Sequence, residues 1–555
     1  MNKFVSLFKL RPAVAWALLF VLLPATWAQQ AATTAPVLSD AEKALSQSVK
    51  ASTIKEITAA LSAPAMEGRG TAQPGGDKAA QYIADYFAKL KLKPAGEKNT
   101  YFQSIDFKEN RFTPETSLKI GEESLQLGKD FAPTFPLTGD EDAKGEMVFV
   151  AYALRSDRPK RDDLAGVDVR GKIVVLMYGP PKTVSKADWR KADIQFPLIF
   201  NLVRAGAKGL IFIDNGLDEQ TGAEAADYGA RRQIEKTGQQ ELPAPIPPFI
   251  AISEQASDKL FANSGRTYQQ ALEEAEKDGF KPYSLKQQAQ IKVKYKTAKG
   301  KSNNVAAVLE GSDAKLKEEA ILFSAHYDAF GLAADGRIYP GAADNALGVA
   351  EMLAVAEAFV NAPVKPRRSL IFLAVTGEEY GLFGSEHWAE NPTWNIRKVA
   401  ANLNLDGVGT EVYGPVKTFV GYGAEHSELG ALLNEVAAAQ GINVTPDPIP
   451  DEKIFVRSDH YSFVKKGVPS LMLLGAPAGP TADWIKRMKA WEKVDYHQPT
   501  DTIKPDWDWS GPLTVAQTCV ILGWRTGNAD KMPAWLPKSI YNRERGTKEK
   551  PPQEP

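Results

Sequence analysis

The stretch from Ile321 to Gly381 constrains this chain more than any other. It opens with the apolar run Ile321-Leu322-Phe323 and ends in a second run, Leu370 to Val375. Each run is short, bounded by Gly or polar residues and followed at once by ionisable side chains: His326 and Asp328 after the first, Glu378 and Glu379 after the second. Between them lie the turn Gly341-Ala342-Ala343-Asp344-Asn345 and a helix-length apolar segment, Ala346 to Phe359. This is a strand–helix–strand rhythm. Such a unit needs a crossover connection and so implies a largely parallel sheet. In an open sheet of that kind, ligands sit beyond the carboxyl ends of the strands, where these polar clusters fall.

The polar set continues downstream. Ala401-Asn402-Leu403-Asn404-Leu405-Asp406 reads as a further strand ending in a carboxylate, and Val494-Asp495-Tyr496-His497-Gln498-Pro499 places a second histidine in a Pro-bounded loop. Two imidazoles and several carboxylates without cysteine suit zinc, and a shared carboxylate suits a two-metal site.

In order, the motifs are His326-x-Asp328, Gly341-Ala-x-Asp344-Asn345, Gly377-Glu378-Glu379-x-Gly381, Asn404-x-Asp406 and Tyr496-His497-x-Pro499-x-Asp501. Together they resemble the M28 family of co-catalytic zinc aminopeptidases, across Asn303 to Thr502. The resemblance implies two zinc ions per chain. His326 and Asp406 would hold one, Glu379 and His497 the other, and Asp344 would bridge them. It implies a zinc-bound hydroxide as nucleophile, Glu378 as general base, Tyr496 as oxyanion stabiliser and Asp328 orienting His326. The chemistry agrees with these roles. Two ions roughly 3.5–4 Å apart need one ligand that reaches both. A ligating imidazole usually gives its other N–H to an acceptor. Adjacent glutamates at a strand end point to different sides, so one can bind metal while its neighbour faces substrate. Arg457-Ser458-Asp459-His460 resembles a further element of this family near the active site; Arg457, Asp459 and His460 are its candidate substrate-binding residues, with Asp459 and His460 expected as pocket wall or in support of the ligands.

The implied fold class is α/β: a mixed, mostly parallel central sheet flanked by helices, of zinc-exopeptidase type, with an inserted β-rich α/β domain. The insert rests on the segments Val148–Tyr152, Val169–Leu176 and Ala205–Ile213, where a strand, a helix, Ala-Gly-Ala-Lys-Gly and another strand resemble a protease-associated (PA) domain. All five histidines lie at position 326 or later, so the insert holds no plausible metal set; a lid or a specificity module is its expected role, and Leu242 to Pro248 its extended loop. The implied boundaries are a signal peptide over 1–28, a mobile leader over 29–51, a catalytic domain over 52–130 and 300–530, the PA-like insert over 131–299, and a C-terminal tail over 531–555.

The signal peptide follows from Lys3, Lys9 and Arg11 ahead of the apolar run Ala13 to Leu23 and the small-residue site ending at Ala28. It implies an exported protein, periplasmic or secreted, with no stable membrane anchor after cleavage. At 555 residues the chain exceeds one ordinary domain. Its net charge of −1 gives no broad basic field for nucleic acid. The single cysteine, Cys519, excludes an intrachain disulfide framework and reads as a packing residue. In the N-terminal part, Ile54, Ile57 and Leu61 share a helix face, Asp77 reads as an N-cap, and Glu67 and Arg69 read as a surface ion pair in a turn or as substrate contacts. His387 reads as structural, His426 as exposed, and Asp501 as a cap for the last helix, Leu513 to Thr526.

The implied reaction is removal of N-terminal residues from peptides. Rival readings are an M28-type carboxypeptidase or dipeptidase, with Arg457 and the Lys/Arg of 486–489 meeting a substrate carboxylate, a one-zinc glutaminyl cyclase on a related fold, and a receptor-like ectodomain that has lost ligands. Complete ligand motifs disfavour the last two.

Overall fold

The computed structural model describes residues 36–134, 141–157, 160–184, 189, 195–214, 233–238, 246–333, 336–407 and 409–549. The signal peptide, residues 29–35 of the expected leader, and Leu242 to Pro245 of the expected extended loop lie outside them.

Four fully buried strands form the centre of a ten-stranded sheet, in the spatial order Ser369–Val375, Ala320–His326, Val399–Asn404 and Ser470–Pro477, all mutually parallel. They are apolar on both sides because both faces are covered, as parallel sheets require. Ile321, Phe323 and Ala325 pack beneath the helices Leu347–Asn361 and Ser510–Asn528, while Leu322, Ile371 and Leu373 pack with Trp388 and Phe463 on the other side. Chain order reverses at Ala320–His326: the next strand in sequence lies on one side of it and the following one on the other. A crevice opens at such a switch point, and His326 stands at its centre.

The sheet is mixed, as expected, but its antiparallel part is longer than the sequence suggested. Phe102–Phe112 and Tyr295–Leu309 pair along eleven residues and join the catalytic sheet through Val305–Leu309, which runs antiparallel to Ser369–Val375. Between these two strands lies the expected insert, whose own strands run from Ser117–Ile120 to Tyr283–Val293. Its own eight-stranded sheet has parallel strands Glu141–Phe149, Ile173–Tyr178, Gly209–Asp214 and Phe249–Ile252 at its centre. One face packs Phe149, Val175 and Ile211 against the helices Glu254–Phe261 and Tyr268–Ala275; the other packs Val174, Leu176 and Leu210 against Gln195–Arg204. One strand of the insert returns to the catalytic sheet: Gln233–Lys236 pairs with Phe107–Asn110 at its edge, and Ile234 packs with Phe107 and Phe383.

The expectation of a mobile leader needs correction. The leader is ordered from Asp40: helix Asp40–Ser48 starts with a Ser39/Glu42 capping box, and Leu45 and Val49 enter the main core. Arg525 ties Glu42 to the last helix at 2.6 Å. A reciprocal cap satisfies two otherwise orphaned N–H groups, and burial of two aliphatic side chains holds the short helix down. The tail is likewise packed as far as it is described. Trp535 and Tyr541 are buried with Phe455 and Trp484, and Arg545 donates to the carbonyls of Val399, Ala400 and Pro533. The third helix, Pro74–Lys89, starts at Pro74, with Asp77 inside its first turn, because the fixed φ of proline suits the first helical position. His426 is half-buried between Phe455 and Tyr541.

Candidate metal centre

Each candidate ligand is delivered by the end of a buried strand or by a turn pinned against one. His326 ends Ala320–His326; Glu378 and Glu379 follow Ser369–Val375; Asp406 follows Val399–Asn404. Asp344 sits in the turn ahead of helix Leu347–Asn361, where Gly341 adopts φ +55°. A Cβ at Gly341 would lie 2.3 Å from the Asp344 carbonyl. Only glycine fits there.

These side chains converge into two groups that share one residue. His326, Asp344 and Asp406 form one; Asp344, Glu379 and His497 form the other. His326 Nε2 lies 3.2 Å from Asp344 Oδ1 and 3.5 Å from Asp406 Oδ1. His497 Nε2 lies 3.4 Å from Asp344 Oδ2 and 3.0 Å from Glu379 Oε2. Asp344 thus offers one oxygen to each side. A tetrahedral zinc with ligands about 2.0–2.1 Å away holds them about 3.3 Å from one another, so both groups match that ion's donor set and spacing. Asp406 Oδ1 is buried without a hydrogen-bond partner, as a carboxylate oxygen kept for a cation would be.

Electrostatics give the same answer. Burial alone would lower the pKa of His326, but Glu378 and Asp406 outweigh it and raise the ring well above its ordinary value. Burial opposes His497 too, and Glu379 and Asp344 lift it to about 9. Burial opposes ionisation of Asp344, yet hydrogen bonds and charge from the two rings bring its carboxyl well below the usual range. Without a bound cation the imidazoles carry protons to balance the acids. Dications would take the place of those protons.

The adjacent glutamates diverge. Glu379 faces His497, while Glu378 Oε2 stands 3.9 Å from His326 Nε2, on the wall of a partly open cavity. Burial, with Asp459, Glu379 and Asp406 adding to it against His326, raises Glu378 well above the ordinary carboxyl range. Ile454, Met472, Leu474, Met488 and Trp491 line the cavity's apolar side, and Arg457, Glu492 and Tyr496 join them. The Tyr496 ring stacks on His497 at 3.6 Å, and burial raises its phenol, so it remains a hydrogen-bond donor.

Asp328 reaches His326 differently from the expectation. His326 Nδ1 is 3.2 Å from the Asp328 backbone carbonyl and 3.7 Å from its carboxylate. The carboxylate instead accepts from the Glu378 N–H and from Thr71 Oγ1, and so places the glutamate backbone. Arg457 reaches the cavity wall, but Asp459 and His460 are fully buried. They start the short helix His460–Val464, which packs between Phe383–Glu390 and the sheet. Ser458, not singled out from the sequence, hydrogen-bonds Asp406 Oδ2 and accepts from Asn404 Nδ2 at 2.9 Å. The alternating polar side chains of Asn402 and Asn404 in an otherwise apolar strand were the readable sign of this network.

Residues 304–521 match peptidase family M28. That segment is similar to M28 peptidase domains. The match meets the resemblance drawn from the motifs, and the strand ends that carry His326, Glu378, Glu379 and Asp406 all lie within it. Among curated relatives, a vacuolar membrane protease of Candida dubliniensis is 35% identical over 137 residues, 23% of this chain. The match spans only 13% of that relative's length. Among solved structures, an aminopeptidase from Aneurinibacillus sp. strain AM-1 superposes with a TM-score of 0.57 at 21% identity, over 88% of this chain and 97% of its own. A zinc aminopeptidase from Bacillus subtilis gives 0.54 at 17%, over 87% and 96%. At these identities the likeness is one of fold, and its coverage extends beyond that segment into the insert.

Proposed function

We propose that this chain is an exported co-catalytic aminopeptidase that holds two zinc ions and removes N-terminal residues from peptides. The observation that carries the reading is the pair of three-residue ligand groups sharing Asp344, with Glu378 beside them but in neither. His326, Asp344 and Asp406 would hold one ion; Asp344, Glu379 and His497 the other. Bound there, zinc would supply Lewis acidity toward a scissile carbonyl and toward water. Glu378 takes a proton from water at Oε2 and returns it to the departing amine. Tyr496 donates its phenolic hydrogen to the carbonyl oxygen as charge develops there.

Aminopeptidase polarity finds support in the charge of the cavity wall. Beside Asp344 and Asp406 the wall carries Glu378 and Glu492 with one guanidinium, Arg457, which Glu452 engages at 3.7 Å. That balance favours a substrate ammonium over a carboxylate. Export is supported by the N-terminal sequence, and no helix among the described residues is long and apolar enough to cross a membrane. The insert, read as a PA-like domain, contributes no metal group among its described residues, and its strand Gln233–Lys236 sits beside Phe383, next to the Glu379 loop.

The test is zinc content per chain together with hydrolysis of amino-acid 4-nitroanilides and their N-blocked forms. Two zinc and cleavage of free-amine substrates alone are expected. Cleavage that requires a free C-terminus would move the assignment to a carboxypeptidase, and one zinc per chain would remove the co-catalytic reading.

A further inference from the structure

Two buried ionisable residues outside both ligand groups grip the turn that carries Asp344 from opposite sides. Arg69 is fully buried, and all its hydrogen bonds go to backbone carbonyls: Leu61 at 2.9 Å, Tyr327 at 2.6 Å, Pro340 at 2.5 Å and Gly341 at 2.7 Å. It makes no ion pair with Glu67, whose carboxylate bonds Lys78 instead. Tyr327 directly follows His326, and Gly341 opens the turn that leads to Asp344. One rigid fork of N–H donors therefore ties the strand end bearing one candidate ligand to the turn bearing another, a task suited to a planar guanidinium. On the other side stands Asp501, also buried. Its Oδ1 accepts from the Ala343 N–H at 2.9 Å and its Oδ2 from the Asp344 N–H at 3.1 Å, while its carbonyl accepts from the Ala342 N–H at 3.1 Å. Three successive N–H groups of the turn thus end on one residue, 157 positions away from Asp344.

We propose that Arg69 and Asp501 are positioning residues that together set Asp344 where it reaches both ions. This rests on the reading of Asp344 as the shared ligand. The argument is geometric. A bridging carboxylate must meet two ions roughly 3.5–4 Å apart, and functional constellations tolerate displacements of only about 0.5 Å. The turn's own ladder is short: the Ala346 N–H donates to the Gly341 carbonyl at 3.1 Å and the Leu347 N–H to that of Ala342, which leaves the N–H groups of Ala342, Ala343 and Asp344 to other partners, and Gly341 is at positive φ while Asp344 and Asn345 have non-helical dihedrals. External partners must supply what a helix or strand would. Arg69 takes its carbonyls and Asp501 its N–H groups, while the Asn345 side chain donates to the Leu405 carbonyl beside Asp406 at 3.0 Å. Loss of either grip moves one carboxylate that serves both metals, so both sites weaken together. Loss of a ligand peculiar to one site does not do this.

The experiment uses the purified full chain, stripped of metal and titrated with zinc against a chelating dye, which yields a dissociation constant for each site. Asp501→Asn keeps size and removes one of the two carboxylate acceptors. Arg69→Lys keeps the charge and loses the fork. Each is expected to raise both zinc dissociation constants, by about 10–100-fold as for other groups that support metal ligands, and to lower kcat at saturating zinc with little change in KM. Should Arg69→Lys not fold, Asp501→Asn carries the test. A lower Tm with unchanged zinc constants would make both residues merely structural and overturn the proposal, as would weakening at one site only. Wild-type protein that binds no zinc would overturn the dinuclear reading itself, an outcome separate from wild type and variants binding two zinc equally well.

Discussion

Glu378 and Glu379 are neighbours in the chain and chemically identical, yet their surroundings assign them different work, and the substitution of each by glutamine separates the two roles. Glu378 belongs to neither ligand group; its backbone N–H is anchored on Asp328 at 3.2 Å, so its place does not depend on its own charge. Glutamine preserves the shape and removes the ability to carry a proton. General acid–base groups contribute about 10²–10⁴ in rate, or about 3–5 kcal/mol of barrier, and a fall of that size in kcat is expected at unchanged zinc content. Stability should move the other way. Burial, then Asp459, Glu379 and Asp406, raise the Glu378 pKa above the unfolded value of 4.5. The native protein then holds a proton that the unfolded chain has released, and this penalty grows as pH rises above about 4.5. A neutral amide escapes it, so metal-free Glu378→Gln should melt at or above the wild-type temperature at pH 8. Glu379→Gln should instead lose zinc from the His497 side, because that carboxylate lies 3.0 Å from its imidazole partner and belongs to the ligand set. The assays are zinc content by atomic emission, kcat on a 4-nitroanilide and calorimetric melting. Loss of zinc in Glu378→Gln, or full retention of both ions in Glu379→Gln, would refute the assignment of base and ligand.

Leu45→Ala tests the docking of the first helix: the side chain is 6% exposed in the main core, so a loss of about 2–3 kcal/mol is expected in chemical denaturation, and no loss would return the segment to a loose leader. Glu411 is buried against Glu351, and burial raises it to about 7, above its unfolded 4.5; wild-type stability should therefore decline as pH rises from about 4.5 to 7, and Glu411→Gln should flatten that decline in melts at pH 5 and pH 8. Zinc binding should release protons at pH 7, because His497 titrates near 9 and His326 well above its ordinary value in the metal-free protein while ligating imidazoles must be neutral; calorimetry in buffers of different ionisation enthalpy reads this directly, and a buffer-independent heat would show the rings already neutral.

How far this architecture could be read from the chain depended on whether the cause was local. The parallel strands were legible because burial on both faces makes them continuous apolar runs, and their ligands because a charged residue at the end of such a run has few other reasons to be there. Glu378 and Glu379 were separable on paper since successive residues of an extended strand face opposite ways. Phe102–Phe112 and the first half of Tyr295–Leu309 escaped because they are charged and half-exposed, and each is specified by the other across nearly two hundred residues. The N-terminal segment was read as loose from composition, although Ser39-x-x-Glu42 is a capping box in plain sequence.

Arg69 and Asp501 show why a site cannot be delimited by its motifs. Each was noticed, one as half of a surface ion pair and the other as a helix cap, because arginine beside glutamate and aspartate before a helix have local explanations. The structure replaces both with partners that carry no side-chain signature: backbone carbonyls for the arginine, backbone N–H groups for the carboxylate. Such bonds are invisible to any reading of residue types, since every residue but proline offers the same two groups. Yet these bonds fix the one carboxylate on which both ligand groups depend. A metal ligand chosen for its chemistry is thus held by neighbours chosen for geometry, and the two kinds of constraint leave very different traces in a sequence.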